Sequence, residues 1–249
     1  MKIAVCVSLV PDSTTKVKVA QTGNEIDDAG VTYIINPYDE FAVEEAVQLK
    51  EKNGGEVTVI SYGLDKSKEA IKKAYQMGAD KGILIKSSSK YFDSYVVARN
   101  LADVLKELNP DIIFFGKQSI DFDGSVVPIM TAEILGLPSV NVVTKLEING
   151  NDASAEREIE GGKEIVKFSL PAIIGAQKGL NNPRYPNLKS IMASKSKPIE
   201  ERQPAYDTNN TEITEMKLPD AKGQGKIFTN GISDVPELVR LLREEAKTI

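Results

Sequence analysis

The chain contains no histidine and no tryptophan, and a single cysteine, Cys6. Without histidine there is no Ser-His-Asp or Cys-His nucleophile, and the commonest metal ligand is missing. One cysteine cannot close an internal disulfide, and with histidine absent too a structural zinc site is excluded. Cys6 stands among valines and reads as a small buried hydrophobe rather than a reactive thiol. Hydrophobic residues make up 41% of the 249, yet no apolar run approaches the ~20 residues of a membrane helix. Met1-Lys2 leads directly into a strand with no apolar leader, so a cytoplasmic protein outside the membrane is expected. The net charge of −5 argues against general nucleic-acid binding. Neither the dinucleotide fingerprint Gly-x-Gly-x-x-Gly nor a Walker-type Gly-Lys-Ser loop occurs. Carboxylate or lysine catalysis stays formally open, although 36 acidic residues read more simply as a solvated surface. Any redox chemistry here needs a borrowed cofactor.

What is present alternates strands with helices, the pattern of a mostly parallel sheet covered on both faces. Lys2–Leu9 is the first strand. A polar excursion, Pro11–Ile35, follows, with a short hairpin expected around Lys16–Val19 and Gly23-Asn24. Asn36-Pro37 opens a helix in the favoured order, Asp39 and Glu40 sit near its positive end, and Gly54-Gly55 stops it. Phe41, Ala42, Ala46 and Leu49 form one face of that helix. Glu56–Tyr62, Gly82–Ile85 and Asp111–Phe115 read as strands, and Asp65–Met77 and Phe92–Leu108 as helices, followed by a helix over Gly124–Leu135. Beyond Leu188 the chain turns polar, and Lys195–Gly225 reads as an extended arm without its own core. It ends in an amphipathic helix, Asp234–Ala246, with Val235, Leu238, Val239 and Leu242 at helical spacing. Such an arm lies on its own domain or wraps a neighbour. The division expected is a nucleotide-binding α/β domain over 1–187 and a recognition segment with arm over 188–249.

Two stretches carry chemistry. Gly116–Met130, GKQSIDFDGSVVPIM, lies between a buried strand and a helix, where open α/β sheets bind ligands. Asp123 is a candidate N-cap, and the amides of Gly124, Ser125, Val126 and Val127 form a candidate anion site. A merely well-capped helix would look the same. Ala155–Leu188 begins with the logic of a β-hairpin: Ala155–Ile159 alternates, Gly161-Gly162 supply a tight turn, and Ile165, Phe168 and Leu170 carry the return strand. Pro171 and Ala172–Gly175 start a buried strand. The loop Asn181-Asn182-Pro183-Arg184-Tyr185-Pro186 is held extended by its prolines and presents Arg184, Tyr185 and Leu188 as a partner surface.

This second stretch resembles the signature region of the β subunit of electron-transfer flavoproteins. Matching elements are Arg157, Glu160-Gly161-Gly162, Glu164, Val166, Pro171, Ile173-Ile174, the Asn-x-Pro-Arg-Tyr loop and Ile191-Met192. Gly175 departs from the pattern, which has Thr, Ala, Cys or Ser there. The resemblance extends over most of the chain and weakens after about Pro198. It implies a Rossmann-like, adenine-nucleotide-hydrolase-like sheet with an antiparallel hairpin and an extended C-terminal arm.

It also implies a carrier subunit with no catalysis of its own, in a heterodimer with an α subunit that holds most of the FAD. Its partners would be flavin dehydrogenases such as acyl-CoA dehydrogenases and a quinone-linked oxidoreductase acceptor. Gly-Lys-Gln-Ser-Ile-Asp-x-Asp resembles the family's adenine-nucleotide loop, which holds AMP in conventional members and a second FAD in electron-bifurcating ones. By position the nucleotide would touch Cys6, Asn36, Tyr62, Ser119, Phe122, Gly124, Ser125, Val126 and Val127. Val126 and Val127 stand where the family has polar side chains, and Phe122 replaces an acidic residue or glycine, so side-chain hydrogen bonds worth ~1 kcal/mol each are lost. Ser13 and Tyr38 occupy the positions that face the flavin of the α subunit. On its residues alone Tyr38 reads as a helix-entry aromatic packed on the sheet. Leu188 matches the family's leucine that enters a hydrophobic pocket on partner dehydrogenases; alternatively it packs inward with Ile191 and Met192.

The Glu160-Gly161-Gly162 turn and the Asn182–Tyr185 loop resemble the conventional, AMP-binding type more than the bifurcating type. A stand-alone nucleotide-binding module, similar to a stress-protein domain, is the other class. It leaves the hairpin, the Asn-Pro-Arg-Tyr loop and the arm unexplained.

Overall fold

The computed structural model describes residues 1–221, 223 and 225–249; Lys222 and Gln224, within the expected arm, lie outside the described residues. In chain order the elements begin with strand β1 (Lys2–Cys6), β2 (Leu9–Pro11), β3 (Tyr33–Ile35), helix α1 (Pro37–Asn53), β4 (Glu56–Gly63), α2 (Lys68–Met77) and β5 (Lys81–Lys86). They continue with α3 (Ser94–Leu108), β6 (Ile112–Gly116), α4 (Val127–Leu135), β7 (Ser139–Asn149), β8 (Asp152–Ile159), β9 (Gly162–Ser169) and β10 (Ile173–Ala176). Last come α5 (Leu188–Ser194), β11 (Glu200–Arg202) and α6 (Val235–Glu244).

Among the described residues nine strands form one sheet in the order β11-β5-β4-β1-β6-β10-β7-β8-β9. From β11 to β7 neighbouring strands run parallel, and β7-β8-β9 fold back antiparallel. The expected α/β class therefore holds. Alternation along each strand divides the core into two layers. Ile3, Val5, Val57, Val59, Ile112 and Phe114 meet the small faces of α1 and α2, chiefly Ala42, Ala46, Ala70 and Ala74. Ala4, Cys6, Ile60, Ile83, Ile113 and Phe115 meet Val96, Leu101, Leu105 and Ala132 of α3 and α4 on the other side.

Several boundaries differ from expectation for identifiable reasons. β1 stops at Cys6, not Leu9, because the Ser8 amide turns away to the Asp39 carboxylate. Leu9–Pro11 then pairs antiparallel with Tyr33–Ile35. The hairpin expected at Lys16–Val19 shrinks to a single bridge, Val19 to Ile26, around the Gly23 turn. α4 begins at Val127, three residues later than expected.

In the hairpin, Ile159 pairs with Gly162, leaving Glu160-Gly161 as the two-residue turn. Only Gly161, at φ 78°, uses glycine's left-handed freedom. Ile165 points outward from the return strand, whereas Val166, Phe168 and Leu170 pack on the core. The arm is also less free than its composition suggests. β11 adds in parallel beside β5. Asn100 Oδ1 accepts from the Ala205 and Tyr206 amides, and Asp93 from those of Asn210 and Thr211. α6 is different: none of its residues is buried.

Candidate functional site at the carboxyl edge of the sheet

The chain runs outward from β1 through β4 to β5, then crosses back to begin β6 on the other side of β1. The reversal puts a switch point between the carboxyl ends of β1 and β6, the ligand position in open α/β sheets. Cys6, Asn36, Tyr38, Tyr62 and the 116–127 loop all lie on elements ending or starting at this edge. A shallow hollow lined by Met1, Asn109, Pro110, Asp111 and Pro171 lies at the opposite end of the strands.

The centre of the edge is a buried carboxylate. Asp39 Oδ2 accepts from the Ser8 amide at 2.7 Å and Ser8 Oγ at 2.9 Å. Its Oδ1 accepts from Asn36 Nδ2 at 2.8 Å and the Gly116 amide at 3.1 Å. One side chain thus ties together the end of β1, the start of α1 and the end of β6. Burial pushes its carboxyl up to about 7, against the pull of these donors. Gly116 permits the approach by having no side chain: a Cβ there would overlap Asp39 Oδ1 and lie 2.7 Å from Tyr38 Cβ. Asp39 was legible only as an acidic residue near a helix start. It occupies the first position of the buried stripe Asp39, Ala42, Val43, Ala46, Val47, and a carboxylate on an apolar stripe is the signal that could have found it.

Asn36 is the N-cap residue of α1, but its side chain caps no helix amide. Its Nδ2 also donates to Gln118 O at 2.8 Å, and its Oδ1 accepts from the Ile120 amide at 3.3 Å, so it anchors the 116–127 loop. Cys6 is buried, and burial with the nearby Asp39 raises its thiol well above the usual range. That makes it inert. Tyr62 is buried and stacks edge-on against Phe92, with ring centroids 4.9 Å apart.

Asp123 is not the helix cap. Its carboxylate accepts from Gln118 Nε2 at 2.6 Å, Ser125 Oγ donates to Gln118 Oε1 at 3.0 Å, and Val126 takes the cap position without a side-chain bond. Asp123 and Ser125 both adopt positive φ, 50° and 54°. Left-handed residues among right-handed ones turn successive amides to one side, which is the construction of an anion nest. The amides of Gly124, Ser125, Val126 and Val127 donate to no acceptor among the described residues. Ser119 is partly buried at the base of the loop, and Phe122 stands 66% exposed at its tip.

Tyr38 is partly buried, with the Lys117 ammonium 4.9 Å from its ring centroid, a cation that sequence reading missed. Ser13 is exposed, past the Pro11 end of the β2-β3 ribbon; Tyr38 follows the Ile35 end. The register therefore separates them.

Of the three residues expected on the partner surface, Arg184 lies against α1 with its side chain 33% exposed. Its guanidinium forks onto Glu44 and Glu51 of α1. Burial alone would push the Glu44 carboxyl up, but Arg184 and Gln48 hold it below its ordinary value. Tyr185 and Leu188 face solvent, at 96% and 73% exposure. Leu188 opens α5 without packing inward.

Residues 24–206 match the family described as electron transfer flavoprotein domain. Over 239 residues the chain is 44% identical to the electron transfer flavoprotein subunit beta of Syntrophomonas wolfei, covering 96% of this chain and 92% of that protein. It is 40% identical to the subunit of the same name from Bacillus subtilis, over the whole of both chains. With the one from Bradyrhizobium diazoefficiens it shares 40% identity across 99% of each. A parallel sheet with a polar switch-point edge, the signature hairpin and full-length likeness agree: the chain belongs to the electron transfer flavoprotein family, among its β subunits.

Proposed function

We propose that this chain is the β subunit of a heterodimeric electron transfer flavoprotein of the conventional type. It makes and breaks no bonds itself. It supports the FAD held mainly by an α subunit and docks a flavin dehydrogenase such as an acyl-CoA dehydrogenase. Electrons then pass to a quinone-linked oxidoreductase. The observation that carries the heterodimer is α6, whose Val235 and Leu238 remain exposed although its apolar residues share one face. Residues 1–187 are the nucleotide-binding domain in this reading, and 188–249 the recognition segment and arm that grips the α subunit.

We infer that this edge takes an adenine nucleotide. The amides of Gly124–Val127, which have no acceptor among the described residues, would carry the phosphate, and Tyr62, Ser119 and Phe122 would border the rest, with Cys6 and Asn36 beneath. AMP there is structural, because it has no redox chemistry. FAD supplies the electron-carrying chemistry when bound. Tyr38, with Lys117 over its ring, would present a polarised aromatic face to it.

Coexpression with the α subunit tests this. A yellow heterodimer with one FAD is expected, releasing AMP on denaturation, whereas the isolated chain should be colourless and inactive in dye reduction. A yellow isolated chain with a full flavin complement would overturn the assignment. Two FAD per heterodimer would move it to the bifurcating class.

A further inference from the structure

The segment carrying Tyr185 and Leu188 is exposed but not loose. Asn181 Nδ2 donates to Phe41 O at 3.0 Å and to Glu45 at 2.9 Å, pinning the segment's start to α1. Arg184 then makes five contacts with the same helix. Its backbone amide donates to Glu44 at 3.1 Å, Nε and Nη2 reach Glu44 at 2.8 and 3.0 Å, and Nη1 and Nη2 reach Glu51 at 2.6 and 3.0 Å. Glu44 and Glu51 are seven apart, so α1 presents them on one face. The Glu44 side chain is only 4% exposed. The far end is fixed by Asn187, which caps α5 by accepting from the Ser190 amide at 2.9 Å. Pro183 and Pro186 stiffen what lies between. Tyr185, Leu188 and, one turn on, Met192 at 64% exposure are thus apolar side chains on a fixed frame.

We propose that Arg184 is a positioning residue: by forking onto Glu44 and Glu51 it preorganises the Tyr185–Leu188 segment for docking the redox partner. The inference rests on the proposed docking of a flavin dehydrogenase, taken here to occur through the segment that carries Leu188. A free loop of this length would lose conformational entropy on docking, and the clamp loses that entropy at folding instead. Only a fork serves both carboxylates; lysine offers a single ammonium.

The test uses the FAD-loaded heterodimer carrying Arg184→Gln, Arg184→Lys, Glu44→Gln or Leu188→Ala. Hydrogen exchange at residues 185–190 is measured without partner. KM and kcat are measured with an acyl-CoA dehydrogenase reduced by its substrate. Arg184→Gln should speed exchange there. If the docking-competent fraction falls to about a tenth, KM rises about tenfold with kcat unchanged. Arg184→Lys should behave like Arg184→Gln despite keeping the charge, and Glu44→Gln should follow if Arg184→Gln does not assemble. Unchanged exchange, full rescue by lysine, or faster exchange at constant KM would each overturn the clamp. If Leu188→Ala raises KM while the clamp variants leave it alone, the clamp falls and the docking reading stands. If Leu188→Ala leaves KM unchanged, the docking reading fails and the clamp's role fails with it.

Discussion

Gly175 lies in β10, and its surroundings say why an alanine should not be tolerated there. Its φ is not in the left-handed region, so the constraint is space. A Cβ on Gly175 would overlap Asn141 Oδ1 and lie 2.7 Å from Asn141 Cγ and 3.2 Å from its Cα. Carbon contacts settle at ~3.5–4.0 Å, so Asn141 would have to swing away. That breaks its bond from Nδ2 to Lys117 O, 3.2 Å long. It also disturbs Val142, a β-branched residue held at φ 63° where the β7-β10 register shifts. Overpacking of this kind costs about 1–3 kcal/mol. Each kcal/mol lowers Tm by about 2–4 °C in a chain near this size, so Gly175→Ala should lose about 2–12 °C in thermal unfolding followed by circular dichroism. Asn141→Ala with Gly175→Ala should recover stability relative to Gly175→Ala alone, because the blocking group has gone. An alanine variant as stable as the parent, or a double variant no better than the single, would refute the argument.

Three further outcomes follow from the contacts described. Asp39→Asn sets an amide NH₂ against donors at the junction of β1, α1 and β6 and should cost about 2–3 kcal/mol by urea unfolding; an unchanged midpoint would show that the four bonds contribute little. Glu44 and Glu51 are both held below their ordinary range by Arg184. Depressed carboxyls stabilise above their unfolded value and lose that contribution as pH falls through the folded one. Protection of residues 185–190 should therefore be flat from neutral pH down to about 5 and decay below about 4, with Arg184→Gln removing the dependence. Asn100→Ala removes three hydrogen bonds to Ala205 and Tyr206 and should speed tryptic cleavage within residues 195–217; an unchanged cleavage rate would mean that β11 alone holds the arm.

The parallel half of the fold was legible because its strands are continuous apolar runs and its helices carry conventional stop and start residues. Strand β7 was missed: Asn141 and the strained Val142 interrupt its pattern, and past them it alternates with Lys145, Glu147 and Asn149 on its open face. β11 reads Glu-Glu-Arg, which no propensity marks as a strand; only the free edge of β5 makes it one. At the site, the loop was legible as the link between a buried strand and a helix, but the helix start was placed three residues early because Asp123 resembles a cap. The ion pairs of Arg184 were not legible for a different reason. Composition identifies an exposed loop, but the direction of one side chain depends on carboxylates 140 and 133 positions away.

The short strand β11 also guards the molecule against itself. β5 is buried on both faces, with Ile83, Leu84 and Ile85 in sequence, and without its neighbour it would offer a bare row of amides and carbonyls. Such a border recruits whatever strand passes, including another copy of the same chain. Glu200, Glu201 and Arg202 occupy that border with only three residues, tethered by pairs from Glu201 to Lys68 and from Arg202 to Glu107. Their charge discourages a further strand from joining. A protein ended at residue 187 should self-associate through the bared edge of β5, so the tail bears on colloidal behaviour.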